Sequence, residues 1–353
     1  MPALQKKELQ LQNHIFLRSC KVERNVIYNG DALNILKTFP DQFVNCIVTS
    51  PPYWKLRNYG KENQLGQEKQ YQDYINRLCD IFDEAKRVLR DDGTCWVNIG
   101  DTYLTKYVAK SGIGRKNLSL IPFRFAIEMQ NRGWIVRNVI IWKKENAVPL
   151  TSPDRFTPDF EYVFFFVKNP KYYFSQQYEK LAASTVKRAA YRYVFSDESK
   201  ISKGHYPFTQ NGIGNYAKKV VNGEINRRAK RCVWTVNTVS FKEDHFATFP
   251  PKLIIPMIKA GCPEYICSAC GKPYTENKKP ACQCNSTQQK GVVLDMFMGS
   301  GTTAVVSLNL NRDFVGIEIN ENYINIANKR IETVVNKIKE KNKYVQLSLF
   351  EKE

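Results

Sequence analysis

The 353-residue chain is short of acid: 34 Asp and Glu stand against 53 Lys and Arg, a formal net charge of +19. That deficit favours a polyanionic partner reached through phosphate contacts and counterion release, with a basic but merely soluble protein as the plainer alternative. No run approaches the roughly 18 to 20 apolar residues that span a bilayer. Met1 to Gln12 is polar and lacks the apolar core of a secretion signal. The chain is therefore expected to be soluble and cytoplasmic, with no membrane partner. No internal repeat is visible, and the length fits one large domain carrying an insertion. Also missing are a Gly-x-Gly-x-x-Gly string, a Walker lysine, and a cysteine after the paired prolines at 51 and 52. The first two absences disfavour a dinucleotide or a nucleoside triphosphate, and the third disfavours a covalent cysteine mechanism in that loop.

Cysteine is present ten times, but without an export signal a disulfide framework is a weak reading. Cys20, Cys46, Cys79, Cys95 and Cys232 are scattered, and Cys46 and Cys95 sit in apolar runs where the thiol acts as a small hydrophobe. Five more fall between Cys262 and Cys284. Among them, Cys267 and Cys270 form a knuckle-spaced pair and Cys282 and Cys284 a tighter one. Together they offer the four thiolates of a closed structural zinc site, with Cys262 a weaker substitute at a helix end and free thiols the alternative.

Along the chain, apolar strand-like runs alternate with helical periodicity. Strands are expected at Val26 to Tyr28, Val44 to Thr49, Thr94 to Ile99, Trp134 to Trp142 and Glu161 to Val167, and again at Val292 to Asp295 and Phe314 to Ile319. Helices are expected at Ala32 to Phe39, Tyr71 to Leu89, Leu120 to Asn131, Pro250 to Ala260 and Tyr323 to Lys339, with Asp91-Asp92-Gly93 ending the second. This alternation predicts βαβ units and a mostly parallel sheet with helices on both faces. The pattern breaks between 171 and 231, where 13 Lys or Arg meet only 4 Asp or Glu. Aromatics such as Tyr172, Phe174, Tyr178, Tyr191 and Tyr216 are interleaved there, a mixture suited to neutralising phosphates and stacking on bases. An aromatic mini-core inside a charged lobe is the alternative.

Two strand ends carry the chemistry. Ser50-Pro51-Pro52-Tyr53 puts a hydroxyl acceptor, a carbonyl of preset direction and an aromatic face after the strand that ends at Thr49. An exocyclic base amine is a poor nucleophile because its lone pair is delocalised into the ring. The Ser50 hydroxyl and Pro51 carbonyl can accept its N–H groups and localise that pair, while the prolines fix φ and remove competing donors. Taken alone, Pro-Pro-Tyr is a common loop string. Far downstream, Asp295 leads through Met296 and Phe297 to Gly299-Ser300-Gly301-Thr302, a small-residue turn that opens a helix and allows close backbone approach by a nucleotide-like ligand. Seventeen residues after Gly301, Glu318 ends the next strand, where a carboxylate meets ribose hydroxyls. S-adenosylmethionine, which has no phosphate to neutralise, is compatible with this turn.

On these segments the chain resembles the β-group amino-methylating DNA methyltransferases, in which the catalytic motif precedes the cofactor motif. Thr49 to Trp54 is similar to that family's catalytic motif, Asp295 to Thr303 to its cofactor loop, and Gly316-Ile317-Glu318 to its ribose-binding strand. Asn29-Gly30-Asp31 is similar to the adenine-contacting segment, and His245 to Pro250 to the segment closing the methionine side. Met296 departs from the usual proline. The resemblance implies a Rossmann-like methyltransferase fold of circularly permuted motif order. It implies catalytic roles for Ser50, Pro51, Pro52 and Tyr53, and S-adenosylmethionine contacts at Asp31, Asp295, Phe297, Gly299, Ser300, Gly301, Thr302 and Glu318.

The resemblance further implies flipping of a base from duplex DNA, a target-recognition region at 171–240, and a bacterial or phage-encoded, nucleoid-associated protein of a restriction–modification system. Residues 1–170 would form the catalytic half. Residues 241–340 would form the cofactor half, with the cysteine insert at 262–290 holding zinc through Cys267, Cys270, Cys282 and Cys284. In that family, serine at the first motif position mostly accompanies cytosine N4 methylation and aspartate adenine N6 methylation. Adenine methylation on the same fold and a zinc-containing DNA-binding protein without turnover are the rivals. In the tail at 341–353, Gln346 to Phe350 resembles the short extended peptide that binds bacterial sliding clamps. A homodimer is compatible with the sequence, but nothing in it specifies one.

Overall fold

The structure is a computed structural model that describes residues 22–56, 64–104, 113–149, 152–195, 210–238, 249–274 and 281–350. The elements in chain order are β1 (Val26–Asn29), α1 (Ala32–Leu36), β2 (Val44–Thr49), α2 (Tyr71–Val88), β3 (Leu89–Ile99), α3 (Ile121–Asn131), β4 (Ile135–Lys143) and β5 (Phe160–Val167). There follow β6 (Tyr178–Lys180), α4 (Ala183–Phe195), α5 (Gln210–Val221), β7 (Arg227–Ala229), β8 (Val233–Thr235) and α6 (Pro251–Gly261). The chain continues through β9 (Tyr265–Cys267), β10 (Gln288–Lys290), β11 (Val292–Asp295), α7 (Thr302–Asn309), β12 (Asp313–Glu318) and α8 (Glu321–Phe350).

Eight strands form one sheet in the order β1-β12-β11-β2-β3-β5-β4-β8. Every neighbouring pair is parallel except β3 with β5 and β4 with β5. Every residue of β2 and β11 is buried, as a parallel sheet covered on both faces requires. The two faces separate by residue parity. Ile47, Phe164, Phe166 and Leu294 pack with α1, α2 and α3, while Cys46, Val48, Phe165 and Val293 pack with α6. On that second face Trp96 lies flat on Phe165, with ring centroids 3.9 Å apart.

Three features differ from expectation. Asp91-Asp92-Gly93 does not end a helix; it lies inside β3, because Val44 pairs with Leu89 but Cys46 pairs with Thr94, and the extra residues bulge from the ladder. The last helix runs on to Phe350 rather than stopping near Lys339, since no glycine or proline intervenes to break it. The segment Gln346 to Phe350 is accordingly helical, not extended. Finally, Tyr172 and Phe174, expected on a nucleic-acid face, pack their rings against Phe165 of the sheet. Backbone bonds from Tyr173 to Asp92 and from Ser175 to Ala260 tie that stretch to the same unit.

Residues Gln176–Arg231 form a second compact unit. In it β6 pairs antiparallel with β7, and Ala189, Ala217 and Val220 make a small core with Leu181 and Ile225. Glu179 accepts from Arg228 at 2.8 Å and from Arg231 at 2.7 Å, and the Arg227 guanidinium lies 4.3 Å from the Tyr178 ring centroid. Lys187, Arg188, Lys218 and Lys219 are exposed.

Candidate active site

Strands β2 and β11 lie side by side, with Cys46 opposite Val293 and Ile47 opposite Leu294. Their onward connections diverge, β2 through α2 to β3 and β11 through α7 to β12, so a crevice opens beyond their carboxyl ends. Such a switch point is where open α/β sheets bind ligands. A cavity of about 230 Å³ occupies it. Ser50 and Pro52 line it from the β2 side, Met296, Phe297 and Gly299 from the β11 side, and Asp31 and Glu318 from the ends of β1 and β12.

Each of these groups is positioned by its own strand end. Asn29 and Glu318 are partners in the β1–β12 ladder, which sets Asp31 near Glu318. Asp31 caps α1 by accepting the Asn34 N–H at 3.0 Å. Glu318 accepts backbone N–H groups from Gly299 at 2.7 Å and Asn320 at 2.8 Å. Burial, opposed by those two donors, raises its carboxyl above the usual range. At Gly299 φ is +53°, so the turn presents backbone without a side chain. The Pro52 carbonyl accepts the Tyr74 hydroxyl at 2.8 Å, which fixes the proline loop onto α2.

The other expected site residues stand behind the cavity wall. Asp295 is 1 % exposed and accepts from Thr49 Oγ1 at 2.6 Å, Thr303 Oγ1 at 2.6 Å and the Phe297 N–H at 3.0 Å. It ties the end of β2 to the glycine turn. Burial pushes its carboxyl up to about 6, against the pull of those three donors. Ser300 Oγ accepts from Arg330 at 2.8 Å, and Thr302 is buried. Gly301, with φ of +82°, admits α8, because a Cβ there would stand 2.8 Å from the Ala327 Cβ. Pro51 is buried beside Ser50.

Tyr53 makes no wall of the cavity but reaches sideways. Its ring covers Gly100, where a Cβ would meet the ring at 2.5 Å. Its hydroxyl donates to Glu161 Oε2 at 2.6 Å, lies 3.2 Å from Asn98 Oδ1, and receives a bond from Ser50 Oγ at 3.5 Å. Burial first, and then the Glu161 carboxylate, hold the phenol well above its ordinary pKa, so it keeps its proton.

Sequence reasoning missed Gln64, Leu65, Arg77, Asp80, Ile81 and Tyr323, all of which line the cavity. Arg77, Asp80 and Ile81 share one face of α2 at i, i+3 and i+4 spacing. That spacing was readable, but nothing in it marked the face as pointing to a ligand. The segment His245 to Thr248 lies outside the described residues.

The sulfurs of Cys267, Cys270, Cys282 and Cys284 lie within 4.8 Å of one another. Four thiolates about 2.3 Å from a tetrahedral zinc stand about 3.8 Å apart, so this donor set fits that ion. The knuckle turn closes through Gly271 N–H to the Cys267 carbonyl at 2.8 Å. Backbone N–H groups of Cys270, and then Ala269, lower the Cys267 thiol to about 6. Cys262 is buried apart from this group, donating to the Pro263 carbonyl. The cluster precedes β11 and touches β3 at Arg90, which reaches the Cys270 carbonyl at 3.5 Å. It therefore sits at the end of the sheet opposite the cavity.

A doubly wound sheet with the Ser50 hydroxyl and a glycine turn facing one switch-point cavity defines an α/β protein with a ligand-binding crevice. The chain belongs to the DNA methylase family of N6 and N4 methyltransferases, whose profile matches residues 44–329. Type II methyltransferase M.Cfr9I of Citrobacter freundii is 36% identical over 336 residues, covering 89% of this chain and 91% of that protein. M.SmaI of Serratia marcescens is 33% identical, with the same shares of the two chains covered. The fold is that of the PvuII DNA methyltransferase (cytosine-N4-specific), with a TM-score of 0.54 at 17% identity over 90% of this chain and 92% of the other. A putative DNA modification methylase of Thermus thermophilus, solved with S-adenosyl-L-methionine, gives a TM-score of 0.50 at 20% identity over 88% and 95% of the respective chains. Among the described residues no helix is long and apolar enough to cross a membrane.

Proposed function

We propose that this DNA methyltransferase transfers a methyl group from S-adenosylmethionine to the exocyclic N4 of cytosine in a specific duplex sequence. The reading rests on the single cavity that joins Ser50 and Pro52 to Phe297, Gly299 and Glu318. S-adenosylmethionine, when bound, supplies an electrophilic methyl on a sulfonium. Asp31 and Glu318 offer carboxylates to its hydroxyls, Gly299 gives backbone access, and Phe297 offers an apolar surface. Ser50 Oγ, on the cavity wall, accepts an N–H group of the target amine and localises its lone pair as charge develops on nitrogen, while Pro51, whose carbonyl the sequence offered as a second acceptor, is buried and does not line the cavity. The base leaves the duplex to reach them, at a cost of about a few kcal/mol offset by contacts in the slot.

Serine at position 50 favours cytosine over adenine on the family correlation, and adenine N6 is the alternative on the same fold. Nucleoside analysis of DNA treated with enzyme and labelled cofactor should return N4-methylcytosine. N6-methyladenine would replace this reading with its rival, and no labelled base would favour a binding protein without turnover.

The motif order, catalytic loop before cofactor turn, is read as the circularly permuted arrangement. Gln176–Arg231 is proposed to read the target sequence, on the strength of its exposed lysines and arginines. Cys267, Cys270, Cys282 and Cys284 are proposed to hold a structural zinc that braces the entry to β11. Purified protein should then contain about one equivalent of zinc for four thiolates, and protein free of metal with four titratable thiols would remove the site. Binding of a sliding clamp through Gln346 to Phe350 would require that helical end to unwind. Equal clamp binding by the intact chain and by one ending at 345 would exclude it.

A further inference from the structure

Beside the cavity, three strands of the antiparallel half of the sheet converge on one phenol. Asn98 comes from β3, Glu161 from β5, and Lys144 follows β4 directly. Lys144 Nζ is ion-paired to Glu161 Oε1 and lies 4.4 Å from the Trp142 ring centroid. Asn98 Nδ2 donates to Glu161 Oε2 at 3.0 Å and to the Tyr162 carbonyl at 3.2 Å. Tyr53 completes the set by donating to Glu161 Oε2 at 2.6 Å. The Glu161 and Lys144 side chains are 18% and 19% exposed, which is low for an ion pair that holds nothing but itself.

The polarity of this chain of hydroxyls has a chemical consequence. An ionised carboxylate only accepts, so the single phenol hydrogen of Tyr53 points at Glu161. Its shorter distance to Glu161 than to Asn98 Oδ1, 2.6 against 3.2 Å, favours the same assignment. What Tyr53 then presents to Ser50 is an oxygen lone pair. The Ser50 hydrogen turns toward it across 3.5 Å, and the Ser50 lone pairs are left facing the cavity that Ser50 lines. An acceptor whose own hydrogen is parked elsewhere is what an incoming N–H donor needs.

We propose that Glu161, anchored by Lys144 and Asn98, is a positioning residue for methyl transfer: it sets the Ser50-to-Tyr53-to-Glu161 hydroxyl order so that Ser50 meets the target amine as an acceptor. The inference rests on the assignment of Ser50 as the amine acceptor and adds to it a residue that touches neither substrate nor cofactor. It also supplies an outlet. When the amine nitrogen gains its methyl it must lose a proton, and that proton can pass to Ser50 Oγ as the serine hydrogen moves to Tyr53 and the phenol hydrogen to Glu161. Charge and protons balance, with the carboxylate neutralised and the methylated base neutral. Glu161 then returns the proton to water.

Glu161→Gln tests this without removing volume. A glutamine amide can donate to Tyr53, freeing the phenol hydrogen to point at Ser50 and turning the serine hydrogen into the cavity. Single-turnover methyl transfer to unmodified duplex DNA should slow by about 10- to 100-fold, as expected for a misdirected group at the reacting centre. The Kd for S-adenosylmethionine and the KM for DNA should change by less than about twofold. Tyr53→Phe, which keeps the ring over Gly100, should show the same split. The double variant should be no slower than the slower single one, because both break one chain.

Glu161→Asp, which keeps the carboxylate, should recover part of the rate. Wild-type turnover in Glu161→Gln, or additive losses in the double variant, would overturn the proposal while leaving Ser50 in place. An undiminished rate in Ser50→Ala would overturn the underlying assignment instead. If Glu161→Gln fails to fold, Tyr53→Phe carries the rate test alone, and wild-type turnover there ends the idea.

Discussion

Ser50→Ala is expected to lower the single-turnover rate of methyl transfer by about 10²- to 10³-fold, the cost of losing one group aimed at developing charge in an enzyme site. The loop should not relax to compensate. Pro51 and Pro52 fix its φ angles, and the Pro52 carbonyl is held by Tyr74. The removed oxygen contacts Tyr53 only at 3.5 Å, so the fold loses little. Cofactor contacts on Asp31, Phe297, Gly299 and Glu318 come from other strand ends, so the Kd for S-adenosylmethionine should stay within about twofold. Rapid quench with labelled cofactor and calorimetric titration of the same preparation measure the two quantities. A rate equal to wild type would remove Ser50 from the chemistry, and equal losses of rate and cofactor affinity would make it a general part of the cavity wall.

Asp295→Ala is expected to act on stability instead. Its carboxylate satisfies two buried hydroxyls and one backbone amide. Truncation leaves these without their acceptor, at about 1 to 3 kcal/mol for each group that finds no substitute. A loss on the order of 3 kcal/mol follows, a large share of what an ordinary domain has. Chemical denaturation would measure it, and a loss below about 1 kcal/mol would mean that the three donors find other partners.

The pH dependence gives an independent check. Burial raises the Asp295 carboxyl from 3.8 to about 6 in the folded chain. Between those values the folded state holds a proton that the unfolded state has released. The contribution of this group is therefore full below about pH 4 and is lost as pH rises through about 6. Asp295→Asn has no proton to lose. The stability of wild type relative to Asp295→Asn should fall across that window by an amount on the order of 2 to 3 kcal/mol and stay level above it. A flat difference would show that Asp295 titrates normally in the folded chain.

Much of the fold could be read from the chain because it depends on short stretches. Strands such as Val44 to Thr49 and Val292 to Asp295 announce themselves as apolar runs ended by small or rigid residues, and α2 by its periodicity. The Asp91-Asp92-Gly93 boundary moved because pairing set it, whereas the longer last helix follows from the lack of a local breaker. No local signal could show that Asp91-Asp92-Gly93 bulges within a ladder with β2, nor that Tyr172 and Phe174 have Phe165 to cover. The candidate site divides the same way. Ser50, Phe297, Gly299 and Glu318 were visible because each sits at a strand end beside residues with one conformational purpose. Arg77, Asp80 and Tyr323 were not, because a polar position on a helix looks the same facing water or facing a ligand.

By itself the sequence determined the βαβ alternation, the Ser50-Pro51-Pro52-Tyr53 loop, the glycine turn and the paired cysteines, all properties of short spans in which sterics and side-chain chemistry act locally. Tertiary structure alone decided that Thr49 and Asp295, 246 residues apart, share a hydrogen bond, and that Asn98, Lys144 and Glu161 gather around Tyr53. The physical reason is that strand order follows from burying both faces of one sheet under right-handed crossovers. That is a condition on the whole chain, and no strand carries it in its own residues.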